Sequence, residues 1–234
     1  MSIGIVSAAY IAASVLFILS LGGLSNQESA KRAVWYGIIG MAIAVLTTFF
    51  GPGMGNYLAT VLVVLVGAFI GQLVAGKVEM TEMPQLVAAL HSFVGVAAVF
   101  IGLNADFELS TVEAIKTAGI SMKEANLTGF GEKLFKKDSV EITILKVEVF
   151  LGIFIGAITF TGSVVAFGKL AGKIDGKPYK LPGGHILNLA GVILCLVLGL
   201  MYIQGFGVWT IITVALISGF IGWHLIMGIG GADM

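Results

Sequence analysis

Charged residues are scarce: they make up 11% of the 234-residue chain, against about 25% in a soluble protein. Their formal sum is zero, so the charge balance gives no indication of a nucleic-acid partner. Cysteine is scarcer still, since Cys195 is the only one. One cysteine excludes a disulfide within the chain and a cysteine-built metal cluster, so we expect no metal site and interpret Cys195 as a small core residue.

The GxGxxG pattern of dinucleotide-binding folds is also missing, so we expect no nucleotide site in the chain. Apolar sequence, by contrast, is abundant: 58% of the residues are hydrophobic and the mean hydropathy is +1.04. The 33 glycines are about twice the usual ~7%, which is typical of closely packed transmembrane helices. This composition excludes a soluble domain and indicates a polytopic membrane protein of the all-α class.

Hydropathy and the breaker residues predict a bundle of about seven transmembrane helices, in a single domain that covers residues 1–234. The predicted spans are Ile3–Leu24, Val34–Phe50, Tyr57–Ala75, Pro84–Leu103, Leu145–Phe167, Ile186–Ile203 and Val208–Ile229. The first span is not interpreted as a signal peptide, because it lacks a positive n-region and is longer than an apolar h-region.

The basic residues predict the orientation, because short loops rich in lysine and arginine favour the cytoplasmic side. Loops 25–33, 76–83 and 168–185 all carry such residues, and the two short loops of the opposite side carry none. We therefore expect the N-terminus outside and the end of the seventh span inside. The long connector, at about 105–143, then lies outside, and its mixed apolar and charged positions predict one or two short surface helices.

The fourth span carries an ionisable side chain, His91, inside an apolar run. Small residues share its helical stripe, namely Ala88, Gly95, Ala98 and Gly102. Small residues let a neighbouring backbone approach closely, so we expect this stripe, and His91 with it, to face other helices. An ionisable group within a span is a site hypothesis, commonly a proton relay. The alternative is a neutral histidine that is bonded to a carbonyl and only holds helices together.

Other polar side chains on the spans give weaker indications. The hydroxyls of Thr159, Thr161 and Ser163 on the fifth span could relay protons through water or bond back to their own helix, and back-bonding is the commoner outcome. His185 and His224 stand near the ends of the sixth and seventh spans, next to interfacial sequence. A histidine at the membrane–water interface needs no special role.

Three stretches together carry a family resemblance: VEMTEMPQLVAALHSFVG at 78–95, EVFLGIFIGAITFTGSVVAFGKLAGKI at 148–174 and GWHLIMGIGGADM at 222–234. With the opening AAYIAASVLFILSLGGLSNQESA, they closely resemble the membrane domain of the β subunit of proton-translocating NAD(P) transhydrogenase. The motifs occur in the family's order and on the corresponding spans. The resemblance covers nearly the whole chain.

The resemblance implies roles for three residues. His91 takes the place of the family's intramembrane histidine, which relays protons, and Ser163 lies on a helix that lines the proton path. Asp233 lies at the cytoplasmic face, close to the NADP(H)-binding domain, where it takes part in coupling. In the intact subunit that domain should follow two further transmembrane helices, one of which carries an asparagine of the proton path. The connector at 105–143 is longer than the resemblance leads us to expect.

The function implied by the resemblance is proton translocation coupled to hydride transfer from NADH to NADP+. No cofactor is expected in this chain, since NAD and NADP belong to soluble domains of the intact enzyme. The implied partners are the alpha-subunit membrane helices, the NAD(H)- and NADP(H)-binding domains and the lipid bilayer, in a dimer of the whole enzyme in a bacterial inner membrane. Two alternatives stay open: a structural membrane anchor, and an unrelated proton or ion carrier.

Overall fold

The computed structural model describes residues 2–51, 56–127 and 129–230, and its regular structure there is entirely helical. A 3-10 turn, Met80–Glu82, precedes the fourth α-helix. The α-helices are α1 (Ile3–Leu24), α2 (Ala30–Phe50), α3 (Tyr57–Ala75), α4 (Met83–Thr117), α5 (Gly129–Phe135), α6 (Ser139–Leu170), α7 (Gly184–Ile203) and α8 (Trp209–Met227). All but the short α5 are long and apolar enough to cross a membrane. The predicted class, a polytopic helix bundle with seven spans, is confirmed for the part of the chain that the structure describes.

The chain divides into two compact units, one ending at Gly71 and the other beginning at Gln72. In the first unit α1 packs against α2 through small side chains. Ala13 and Ala33 are buried there, and a methyl group added at Gly40 would lie 3.2 Å from the backbone oxygen of Ala13. Small residues thus bring these two helices into close contact, as is typical of transmembrane pairs.

In the second unit α6 is the central helix: it contacts α4, α7 and α8, while α7 also packs along α8. Helices α4 and α6 run antiparallel. Gln85, at the start of α4, donates to the backbone oxygen of Leu170 at the end of α6, at 3.3 Å. Near the other ends, Lys146 of α6 pairs with Glu113 of α4 at 2.9 Å. The loop that follows α6 therefore lies at the same end of this unit as the start of α4, and the long connector lies at the opposite end.

Glycines allow the helices of the second unit to touch through their backbones. A Cβ atom added at Gly95 of α4 would lie 2.7 Å from the backbone oxygen of Gly156 in α6, and one added at Gly222 of α8 would overlap the backbone oxygen of Ile158. Gly152 and Gly156 have GxxxG spacing, yet a Cβ at Gly152 would meet no atom within 4 Å. Of that pair, Gly156 is therefore the one that packs.

The long connector contains more helix than hydropathy predicted. Helix α4 continues past Leu103, its predicted end, to Thr117, and α6 begins at Ser139, ahead of the predicted Leu145. One short surface helix, α5, lies between them. A small separate core joins the end of α4 to α5, and its buried residues are Leu109, Val112 and Leu134. Hydropathy ended α4 too early because acidic residues such as Glu108 and Glu113 lower the mean hydropathy of turns whose buried residues still pack against α5.

Charged side chains stabilise the helix ends in this connector. Asp138 and Glu141 form a capping box at the start of α6, in which each carboxylate accepts from the backbone N–H of the other, at 2.8 and 3.2 Å. Just after α5, Lys136 donates to Glu132 at 2.6 Å, and this hydrogen bond with the lysine's charge lowers the pKa of Glu132. Because this ion pair is exposed, its contribution to stability is small.

A buried polar pair joins α4 to α7 near the connector end. Tyr202 donates to the Asp106 carboxylate at 2.7 Å, and both residues are buried, with exposed fractions of 3% and 7%. They line a cavity of about 190 Å3 together with Glu113 and Lys146. A buried carboxylate needs such a donor, since an unpaired one is costly to desolvate. This pair was not predicted, because hydropathy placed Asp106 in the connector.

We expect Gly95→Ala to destabilise the second unit, because the added methyl group must push α4 away from the α6 backbone. Overpacking of this kind costs about 1–3 kcal/mol. The matched control is Gly152→Ala, which adds the same group on α6 where no atom lies within 4 Å. Thermal unfolding in detergent compares the two variants, and an equal melting temperature for both would contradict the packing described.

Removing one hydroxyl tests the buried polar pair. Tyr202→Phe leaves the Asp106 carboxylate without the donor that now lies at 2.7 Å, and an unsatisfied buried acceptor costs about 1–3 kcal/mol. Tyr57→Phe is the control, because Tyr57 is exposed. The measurement is denaturant unfolding in mild detergent. If both variants unfold at the same denaturant concentration, the bond does not contribute to stability.

Candidate functional site

His91 lies on α4 between two contacts with α6. On one side of it along the helix, Gln85 bonds to the backbone of Leu170 at 3.3 Å. On the other side, Gly95 packs against the backbone of Gly156. His91 therefore stands beside the last third of α6.

The imidazole of His91 is held by its own helix. Its Nδ1 lies 2.9 Å from the backbone oxygen of Val87, and because a carbonyl oxygen only accepts, Nδ1 carries the donated proton. In the neutral ring the other nitrogen, Nε2, is then the acceptor. The side chain is exposed on the surface of this chain. The ring is thus oriented from one side, and its basic nitrogen is available to a partner outside the described residues.

Within the described chain His91 does not face another helix, so its predicted direction into a helix bundle stays a prediction about helices outside this chain. The buried face of α4 passes through Ser92, Gly95 and Gly102, so the prediction that the two glycines face another helix is confirmed, but His91 beside them is exposed. The physical reason is helical rotation of ~100° per residue. It turns Ser92 into the packed face and His91 to the edge of the stripe, a distinction that small-residue spacing does not make.

Ser163 faces the other side of α6, toward α8. It is partly buried and lines a cavity of about 250 Å3 between these helices, together with Gly162 and Gly222. Its neighbour Thr161 bonds both to its own helix, at the Ala157 oxygen, and across to the Gly219 oxygen of α8 at 2.6 Å. No hydrogen bond between Ser163 and His91 is found among the described residues, so the structure does not bring these two predicted site residues into contact.

Lys169 has a role that was not predicted. It falls in the predicted loop 168–185, but in the structure it belongs to α6 and is 6% exposed. Its ammonium donates to the backbone oxygens of Ile226, Met227 and Ile229 at 3.1, 3.1 and 2.5 Å. Two of these oxygens belong to the last turn of α8 and the third, of Ile229, follows it. Carbonyls at a helix C-terminus lack partners within the helix, and the helix dipole favours a cation there. Lys169 thereby ties the end of α8 to α6.

His224, which was predicted to lie near the membrane interface, is buried within this chain, with an exposed fraction of 5%. Its Nδ1 lies 2.8 Å from Oδ1 of Asn188, across the contact of α7 and α8. His185, by contrast, is exposed at the start of α7. The signal in the sequence that could have identified the buried pair is Asn188 itself, an amide four residues into an apolar span.

Asp233 lies outside the described residues, so its predicted place stays a prediction.

Cys195 is buried in the core of the second unit, as predicted. In the described ranges no group of three or more histidine, cysteine, aspartate or glutamate side chains could hold a metal ion.

Comparison with known proteins agrees with the family resemblance. A family model described as NAD(P) transhydrogenase beta subunit matches residues 6–234. Two curated sequences named NAD(P) transhydrogenase subunit beta, both from Rhodospirillum rubrum, are 43% identical over 227 residues. These matches cover 97% of this chain and 44% of each relative, so the chain spans less than half the length of the relatives it matches. The chain belongs to the NAD(P) transhydrogenase beta subunit family.

Proposed function

We propose that this chain is the proton-translocating membrane portion of a transhydrogenase. It couples proton movement to hydride transfer from NADH to NADP+, which takes place in soluble domains outside these residues. The observation that carries the proposal is His91: a titratable side chain on a long apolar helix, beside a glycine crossing, with one nitrogen anchored at 2.9 Å and the ring exposed. Membership of the beta subunit family supports it.

His91 exchanges the proton at Nε2 while Nδ1–H stays bonded to Val87. The fixed ring orientation reduces the loss of conformational entropy when a proton donor approaches. Because translocation requires access from each side in turn, the group needs neighbours that move relative to it. Its exposed position on α4 gives it contact with such neighbours, which we propose to be the alpha-subunit membrane helices.

Ser163 and Asp233 have secondary roles in this proposal. Ser163 lines the α6–α8 cavity, where its hydroxyl can accept and donate a hydrogen bond to water on the path. Asp233 couples the end of α8 to an NADP(H)-binding domain at the cytoplasmic face. The tie between Lys169 and the α8 carbonyls supports this coupling, because a displacement at the end of α8 is then transmitted to α6.

The proposed setting is an enzyme dimer in a bacterial inner membrane, with NAD(H)- and NADP(H)-binding domains as soluble partners. The candidate spans support the membrane location. Helix α3 supports the presence of further membrane partners, because none of its residues is buried against the described chain. The hydride passes between the two nucleotides, so the membrane portion contributes gating and no hydride-transfer site.

A structural membrane anchor is the second candidate. It is favoured by the bond between His91 and Val87, because a neutral, permanently bonded histidine needs nothing further. The two functions differ in what they tolerate: an anchor keeps proton coupling when His91 is replaced by asparagine, and a proton relay does not.

We expect His91→Ala to abolish nucleotide-driven proton pumping in the complete enzyme reconstituted into vesicles, because no titratable group remains at this position. Folding should survive, since His91 is exposed and its bond lies within its own helix. Leu90→Ala is the matched control, an exposed neighbour with no titratable group. Pumping is followed with a pH-sensitive dye. Normal pumping by His91→Ala would exclude an obligatory relay.

The proposed orientation places the loop after α6 in the cytoplasm and the connector outside. Gly176 and Glu124 are exposed positions in these two segments. Single cysteines there, in a Cys195→Ser background, should react with a membrane-impermeant maleimide from opposite sides of sealed vesicles. Labelling of both from one side would overturn the topology.

A further inference from the structure

A cavity of about 870 Å3 lies where α7 begins and α8 ends, at the end of the second unit opposite the connector. The loop after α6 closes over it, since the Tyr179 N–H donates to the backbone oxygen of Met227 at 2.8 Å. His224 lines this cavity and is 5% exposed. The cavity thus has one buried imidazole in its wall.

The hydrogen bonding of His224 is incomplete. Its Nδ1 lies 2.8 Å from Oδ1 of Asn188, and because an amide oxygen only accepts, Nδ1–H donates. The other nitrogen, Nε2, is buried and has no hydrogen-bond partner among the described residues. A buried acceptor without a partner is costly to the folded state. A basic nitrogen without a partner in the wall of a cavity indicates a site that accepts a hydrogen bond or a proton from a molecule in that cavity.

Gly184 provides the space for this ring. A Cβ atom added there would lie 2.6 Å from Cε1 and 3.0 Å from Nε2 of His224. The first residue of α7 therefore brings bare backbone against the edge of the imidazole that carries the unpaired nitrogen. A side chain at this position would overlap the ring edge, so the glycine leaves the imidazole its place in the cavity wall.

His224 stands beside the same stretch of α6 as the proposed path. Along α8 it lies between the Gly219 contact with Thr161 and the Ile226 contact with Lys169. The cavity that Ser163 lines shares the walls Leu225 and Ile226 with the cavity of His224. The cavity of His224 therefore adjoins the cavity that Ser163 lines.

The charged and titratable groups around His224 are all basic. Lys180 and His185 are exposed at the cavity mouth, and Lys169 of α6 bonds to the end of α8. No aspartate or glutamate lines this cavity among the described residues. His224 therefore has no carboxylate partner in this cavity, and its Nε2 is left to bind water or a proton donor that enters it.

We propose that His224 is a second proton-exchange group of this membrane domain, which takes protons from water in the cavity between α7 and α8. A hydronium ion donates to Nε2, so that an N–H bond forms, an O–H bond breaks and water remains; release reverses these changes. Asn188 keeps Nδ1–H bonded throughout. This inference rests on the proposed function and extends it to a group on α8.

The test uses His224→Gln in the complete enzyme, since glutamine keeps a hydrogen-bonding side chain but carries no exchangeable imidazole proton. We expect nucleotide-driven pumping to fall at least tenfold, while hydride exchange that needs no proton movement keeps its rate. Leu200→Ala is the control, an exposed side chain of α7 that lines neither this cavity nor the one beside Ser163. It should pump normally. A merely structural role of His224 would lower both rates together.

Chemical rescue adds a measurement that a change in packing alone does not affect, namely the restoration of the proton-coupled reaction by an added base. His224→Ala opens space next to the cavity, and added imidazole should restore the proton-coupled reaction. Pyrazole has nearly the same shape but is a far weaker base, so it should not. Equal effects of the two compounds, or no rescue by either, would overturn the proton-exchange role.

Parallel measurement of His91→Ala separates this inference from the proposed function. If His224→Gln pumps normally while His91→Ala does not, the inference fails and the proposed function stands. Normal pumping by His91→Ala would instead count against the proposed function itself. Loss of both pumping and proton-independent exchange in His224→Gln would assign His224 a structural role and overturn the inference.

Discussion

The close approach of the α4, α6 and α8 backbones is the contact on which the second unit depends. Helices in lipid gain little from burying apolar side chains against each other, because lipid tails are equally apolar, so packing and hydrogen bonds must hold them. Gly95, Gly156 and Gly222 provide the packing, since none leaves room for a side chain. This proximity also allows the Thr161 hydroxyl to reach the Gly219 oxygen at 2.6 Å. The candidate proton groups lie along the same crossing.

Polar side chains then secure the two ends of this unit. At one end Tyr202 and Asp106 join α7 to α4, and at the other Lys169 joins α6 to the carbonyls that end α8. Each bond satisfies a group whose burial would otherwise be costly. His224 is the exception, because its Nε2 has no partner among the described residues. A buried imidazole nitrogen without a hydrogen-bond partner, in a unit where the other buried polar side chains described have one, is a reason to assign His224 a function.

Sequence reasoning worked best where the signal is local. The ends of α1 and α3 agree with prediction, because apolar run length and flanking turn residues are read directly from neighbours in the chain. The packing role of Gly95 and Gly102 also agrees. Small-residue spacing did not separate the centre of the stripe from its edge, where His91 is exposed in this chain, because only the helix packed against the stripe decides which residues it covers. The end of α4 was missed because its later turns carry acidic residues, although they pack against α5.

The sequence by itself determined the membrane class, the number of spans and the family, since these depend on composition, hydropathy and motifs summed along the chain. The tertiary structure alone decided which polar groups are buried and what they bind. Asn188 and His224 are separated by 36 residues and meet only because α7 and α8 form a hairpin. Lys169 changes from a loop cation to a buried cap because α8 ends beside it. Hydrogen bonds of this kind depend on distances in space, and sequence spacing constrains those distances only within a single helix.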